Sequence, residues 1–575
     1  MIQYEVFCDA PNQHFIRFKA IIPVTNSVTT LKLSSWRPGR YELGNFAKNI
    51  RNFRVFNDSK KPLSFSKSDK SSWQIQTEGT SEILIEYQYF ASELNAGSSF
   101  LDKTQLYINP VNCFFFTDET KNDLYQIKLN VSDAWQIACS LPLKKKVLTA
   151  SSYEELADSP FICSPNLSHE TYEVQDIKFH IWFNNQKHID WERIKSDFVK
   201  FTTKQIKSFI EFPVKEFYFL IHSLPFSAYH GVEHLKSTVI TLGPSYAIFD
   251  GLYSELLGVS SHELYHVWNV KSIRPIEMNP YDFEKENYSR LGYVYEGVTT
   301  YMGDLYLLKS GVFDLKKYLK EFNNQLQKHF DNPGRFNYSV AQSSFDTWLD
   351  GYVLGAPGRK VSIYTEGCLL AFVVDVKIRK ATKNKFGIEE VMKRLYFDFA
   401  VQGKGYTEAD YRNILESVSG ESFETYFDDF INGTHPYEEL IIESLAYFGL
   451  ELVQKPSKSF SEAKLGFKYL PKGKNSLVHS IYPGSPAELG GLSLGDEIIA
   501  VNGKQLNGDL DNWLAYFESD LKTLSFMREG LLMECTLPEV NRFFYLTHEV
   551  KVPSDLTENQ KKSLKAWGED GVNFD

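Results

Sequence analysis

The spacing of apolar residues changes once along the chain, and one kind of layer cannot satisfy both parts. Up to about residue 170 the pattern alternates, most clearly in EILIEYQY at 82–89, where Ile83, Ile85, Tyr87 and Tyr89 share a face. That two-residue period predicts half-buried antiparallel strands. In WERIKSDFVKFTTKQIKSFIEF, starting at Trp191, residues Ile194, Phe198, Phe201, Ile206 and Phe209 recur at helical spacing instead. A multidomain α+β chain follows. Its 575 residues exceed what one core holds.

We expect a β-rich N-terminal domain over 1–170 and a mainly helical domain over 171–455, with a strand in FYFLIH at 217–222. The polar stretch QKPSKSFSEAK at 454–464 reads as a linker. Beyond it, short strands between Gly/Pro turns predict a small β module over 456–540, then a C-terminal extension over 541–575.

A net charge of −11 and a pI near 5.7 argue against a nucleic-acid or anionic-membrane binder, which needs a basic face. The six cysteines form no CxxC pair and read as buried free thiols. MIQYEVFCDAPNQ carries no secretory signal pattern, and no apolar run is long enough for a membrane span. The expected location is cytoplasmic.

The chemistry concentrates in HELYH at 262–266. Histidines at i and i+4 lie one helical turn apart, so His262 and His266 can reach one zinc ion from one face, with Glu263 beside it as a base for water. The flanks Val259, Leu264, Tyr265, Val267 and Trp268 suit a buried helix. A catalytic zinc needs a third protein ligand and an open position. Glu296 in YVYEGVTTYMGD is the best candidate, because Pro275 and Pro280 in the connector let a second helix fold back on the first. On pattern alone Asp282, Glu284 and Glu286 compete, although YDFEKEN reads as a solvated loop.

HELYHVWNVKSIRP followed by NYSRLGYVYEG at 287–297, together with SSWRPGRYELGNFAKNIRNF at 34–53 and SYEELADSP at 152–160, resembles the glycyl aminopeptidases of the gluzincin class. The resemblance spans nearly the whole chain. It implies a β-rich N-terminal domain, a thermolysin-like catalytic domain and a C-terminal PDZ domain. It also implies one catalytic zinc on His262, His266 and Glu296, with Glu263 as base. YHGVEHLKST at 229–238 is similar to the family's edge strand, which makes Glu233 the binder of the substrate's free α-amino group and the Gly231 and Val232 backbone its pairing partner. YTEGCLLAF at 364–372 is similar to the segment whose tyrosine stabilises the oxyanion, here Tyr364. Three positions depart from the family: Tyr293 replaces tryptophan, His230 glycine and Glu366 lysine.

KLGFKYL at 464–470 and YPGSPAELGGLSLGDEIIAVNGKQL at 482–506 look like a PDZ domain. Backbone N–H groups of Leu465, Gly466 and Phe467 are its candidate carboxylate loop for a peptide C-terminus. The expected function is zinc-dependent removal of N-terminal residues, small ones such as Gly or Ala preferred, from peptides with a free N-terminus. The rival readings are a zinc endopeptidase and a non-catalytic PDZ scaffold with a vestigial zinc site.

Overall fold

The computed structural model describes residues 1–353, 355–517 and 520–574, which form two compact units. The larger comprises residues 1–321, 332–448 and 557–575, and the smaller 322–331 and 449–556.

In the larger unit, the first 165 residues or so build a seven-stranded sheet and two four-stranded sheets. The strand Glu82–Phe90 buries Ile83, Ile85, Tyr87 and Tyr89 and leaves the residues between them half-buried, as its alternation predicts. These residues share a core with Phe18, Phe114, Phe115 and Trp73. All six cysteines are free, and four are buried.

A mixed five-stranded sheet follows, with Leu167–Val174, Ile177–Asn184, Glu216–Ser223, Ser237–Gly243 and Ala228–Glu233 in spatial order. Ala228–Glu233 runs antiparallel to Ser237–Gly243 and forms the outer edge. The helix Trp191–Phe209 buries Ile194, Phe198, Phe201, Ile206 and Phe209, the five residues of its apolar stripe. The Asp190 side chain caps this helix, accepting from the Arg193 N–H. Further helices include Tyr253–Tyr265, Thr299–Lys309 and Ile363–Ala381.

The fold class is therefore the expected one: a β-rich N-terminal part, a largely helical middle and a C-terminal β region. The final helix Glu558–Gly568 also belongs to the larger unit. Its Trp567 is buried, stacks on Phe448 at 4.7 Å and donates to the Tyr301 hydroxyl at 2.9 Å.

The smaller unit carries an antiparallel sheet with the strands Phe467–Lys472, Asn475–Ile481, Glu497–Val501, Lys522–Arg528 and Leu531–Leu537 in order. Its core includes Leu465, Phe467, Ile498, Val501 and Leu524. The Asn502-Gly503 pair has φ of 48° and 72°, the tight turn expected of Asn-Gly. The strand Glu451–Pro456 pairs with Leu546–Lys551 in the same unit.

Candidate active site

The helix Tyr253–Tyr265 holds His262 and Glu263 in its last turn, and His266 caps it with its N–H donating to the His262 carbonyl. Val259, Leu264, Tyr265, Val267 and Trp268 are buried, which fixes the helix orientation as their apolar character predicts. The Ser261 hydroxyl donates to the Gly303 carbonyl at 2.6 Å, and Gln205 donates to the Ser261 carbonyl at 2.9 Å. Small residues here let neighbouring helices close on the motif.

Glu296 lies on a π-helical turn, Tyr293–Val298, that runs into the helix Thr299–Lys309. Such turns widen the helix locally and re-aim a side chain. Glu296 Oε2 lies 3.8 Å from His262 Nε2 and 3.4 Å from His266 Nε2, and the two Nε2 atoms are 3.0 Å apart. One ligand atom from each of the three falls within 4.8 Å of the others.

His266 Nδ1 is 2.7 Å from the Asn269 carbonyl, to which it donates, so Nε2 is the nitrogen turned toward Glu296. The Asn269 side chain in turn donates to the Val294 carbonyl and the Thr299 hydroxyl, tying the motif helix to the Glu296 turn. Burial lowers the pKa of His262. At His266 burial is outweighed by the carboxylates of Glu296 and Glu233, which hold that imidazole up at about 10. A cation seated among these atoms would take the place of that proton. Two imidazoles and one carboxylate form the donor set of a tetrahedral zinc with one position left open. The residues therefore fit the metal.

The competing carboxylates lie elsewhere. Glu284 pairs with Lys32 at 2.7 Å, and Asp282 accepts from the Glu284 N–H. Among the described residues, neither these nor Glu286 joins the histidines.

Glu263 is 5% exposed, with its Oε2 unpartnered. Burial pushes its carboxyl well above the usual range, with His266 opposing and Glu233 and Glu296 reinforcing. Gly231 packs on it: a Cβ there would lie 2.1 Å from Glu263 Oε1. Glu233, at the end of the same edge strand, is buried with Oε1 unpartnered, and its ligand atom falls within 4.8 Å of those of Glu263 and His266. Val232 is buried on the other face.

Tyr364, in the first turn of the helix Ile363–Ala381, shares a side-chain hydrogen bond with Tyr352. Burial and the nearby Glu296 raise the pKa of Tyr364, so its hydroxyl keeps its proton. Glu366, two residues on, is turned to the Tyr437 hydroxyl, from which it accepts. Tyr293 is buried and donates to Glu408. His230 is half-buried; burial, with Arg37 and Arg40 adding, lowers its pKa to about 3, so the imidazole is neutral.

Several residues of the site were not picked out from the sequence. Tyr41 donates to Glu296 Oε1 at 3.2 Å, and its own N–H donates to the Tyr352 hydroxyl. Asp158 receives Lys271 at 2.7 Å, His234 Nδ1 at 3.1 Å and the Leu235 N–H at 2.8 Å, anchoring the strand end beside Glu233. Both come from segments that entered the sequence reading only as family resemblances, WRPGRY and SYEELADSP.

In the smaller unit Leu465 and Phe467 are buried, and Gly466 adopts φ +71°. The Gly466 N–H donates to the Ser461 carbonyl, so one of the three N–H groups of the loop is engaged within the chain.

Comparison with known proteins agrees with this architecture. Residues 3–165 match the Peptidase M61 N-terminal domain, residues 255–370 the M61 glycyl aminopeptidase domain and residues 477–524 a PDZ domain. No curated protein matches the chain. Among solved structures, the aminopeptidase N family protein from Idiomarina loihiensis is 25% identical, covers 99% of this chain and 100% of its own, and superposes with a TM-score of 0.89. The M1 zinc metallopeptidase from Deinococcus radiodurans is 12% identical, over 76% of this chain and 94% of its own, with a TM-score of 0.47. With matches to the M61 N-terminal domain, the M61 glycyl aminopeptidase domain and a PDZ domain, and a full-length structural counterpart, the chain is a metallopeptidase that carries the M61 peptidase domains in order.

Proposed function

We propose that the protein is a zinc aminopeptidase that removes small N-terminal residues, glycine or alanine first, from peptides with a free N-terminus. The observation that carries this reading is the position of Glu233. Its buried, unpartnered carboxylate oxygen shares a cluster with Glu263 and His266, and such a group is satisfied by a substrate ammonium. That contact fixes the scissile bond one residue from the N-terminus.

His262, His266 and Glu296 would hold the metal, which when bound supplies Lewis-acid polarisation of the carbonyl and acidifies water. Glu263, made more basic by burial, accepts a proton from the attacking water and returns it to the leaving amine. The Tyr364 hydroxyl, kept protonated, donates to the oxygen on which negative charge develops. The free edge of Ala228–Glu233 offers backbone groups at Gly231 and Val232 to an extended peptide, which excludes water and aligns it. The PDZ domain is a candidate receiver of a peptide C-terminus through Leu465 to Phe467.

The test compares alanyl and glycyl peptides with their N-acetylated forms. The reading expects cleavage of the free forms only, with Glu233→Ala abolishing most of it. Equal cleavage of both forms would make the enzyme an endopeptidase.

A further inference from the structure

Arg37 is the most unusual charged residue near the cleft. It is 6% exposed, and its Nη1 is buried without an acceptor among the described residues. A buried guanidinium normally carries a carboxylate partner, because removing its charge from water is costly. Arg40, three residues on in the same loop, is paired with Glu42 and lies over the Tyr352 ring; among the described residues Arg37 has no such partner.

Its position is well bounded. The guanidinium lies flat against Gly97, where a Cβ would come 1.9 Å from Cζ. Its charge acts on Glu233, on Glu263 and on His230 of the edge strand. Gly39, from the same loop, packs on Glu233, where a Cβ would lie 2.5 Å from Oε2. The cleft thus holds a buried carboxyl group, Glu233, and a buried guanidinium, Arg37, each with an atom that has no partner among the described residues and not paired with each other.

We propose that Arg37 receives the C-terminal carboxylate of a short substrate, so that the cleft is matched to the two charges of a di- or tripeptide zwitterion. This rests on the aminopeptidase reading, in which Glu233 holds the ammonium. An extended peptide advances about 3.3–3.6 Å per residue. A short chain running from Glu233 along the edge strand past Gly231 would carry its carboxylate toward His230, the strand position on which the Arg37 charge acts. A guanidinium is suited to that group, since its N–H donors match both carboxylate oxygens. The bound peptide would satisfy both orphaned charges and bring no net charge into the cleft.

The test compares glycylalanine with glycylalanine amide, using a glycyl arylamide, which has no carboxylate, as the reference substrate. The wild type is expected to favour the free acid by roughly 10- to 100-fold in kcat/KM, the range of a charge-assisted hydrogen bond. Arg37→Gln is expected to bring that ratio close to one while arylamide turnover persists. Arg37→Lys, which keeps the charge and loses the fork, is expected to lower the ratio in part, and it serves if the glutamine variant does not fold. Arg40→Gln removes the same charge nearby and is expected to leave the ratio unchanged. The proposal is overturned if the wild type shows no acid preference, if the Arg37 variants keep it, or if Arg40→Gln abolishes it equally. Failure of the wild type to turn over the arylamide would instead count against the aminopeptidase reading.

Discussion

Gly297 and Gly367 meet backbone to backbone. A Cβ on Gly297 would lie 2.3 Å from the Gly367 Cα, and one on Gly367 would lie 2.6 Å from the Gly297 Cα. Gly297 follows Glu296, and Gly367 lies one helical turn beyond Tyr364. The contact therefore sets the separation between a metal-ligand candidate and the proposed oxyanion donor. Gly367→Ala inserts a methyl group where there is no room, which costs about 1–3 kcal/mol. It is expected to lower the thermal midpoint and to reduce kcat by more than the loss of folded protein explains. A variant equal to wild type in both respects would show that the contact does not position the site.

The Tyr41 hydroxyl bond to Glu296 Oε1 makes a second prediction. A partner that orients a metal-binding carboxylate typically changes metal affinity or activity about 10- to 100-fold when removed. Tyr41→Phe is expected to release zinc to a chelator at roughly 10-fold lower chelator concentration, with the thermal midpoint measured in excess zinc nearly unchanged. Unaltered chelator competition would remove Tyr41 from the metal's surroundings.

Asp158 gives a pH-dependent prediction. Burial alone would raise its pKa, but Lys271 and His234 hold it well below the usual carboxylate range. A depressed folded pKa means that its stabilising contribution is present above the unfolded value, near 3.9, and is lost as pH falls toward the folded one. Asp158→Asn strands the buried Lys271 ammonium and is expected to cost about 3–5 kcal/mol at neutral pH. Unfolding midpoints of wild type and variant should converge on acidification below about pH 4. A gap independent of pH would contradict this.

The final helix belongs to the catalytic core through Trp567, whose indole donates to Tyr301, which in turn donates to Asp375 at 2.6 Å. Trp567→Ala removes a fully buried ring and is expected to cost about 3–5 kcal/mol. Removal of residues 557–575 should be at least as damaging to thermal stability. A truncated enzyme with the wild-type midpoint would refute that role.

How much of this was legible in the sequence depended on the distance over which each signal acts. The Glu82–Phe90 alternation and the Ile194 to Phe209 stripe are local patterns, and the structure reproduces both. His262, Glu263 and His266 are local too, since their geometry follows from one helix turn. Glu296 needed the connector to turn back, which its prolines allowed but did not specify. Tyr41 and Asp158 are separated from their partners by 255 and 113 or fewer residues, respectively, and no periodicity links such positions. The orphaned guanidinium of Arg37 was invisible for a further reason: in sequence it is one charged residue among many, and only burial without an acceptor distinguishes it. The inward turn of Glu366 to Tyr437 likewise depends on which face of the helix Ile363–Ala381 meets its neighbours.

The central claim is that Glu263 moves the proton at a zinc held by His262, His266 and Glu296. The most direct measurement is hydrolysis of a glycyl arylamide by Glu263→Gln, with zinc content determined on the same sample. The account predicts about one zinc per chain, as in the wild type, and a loss of kcat of at least roughly 100-fold. Wild-type turnover by the zinc-loaded variant, or a wild-type enzyme that is active without stoichiometric metal, would contradict it.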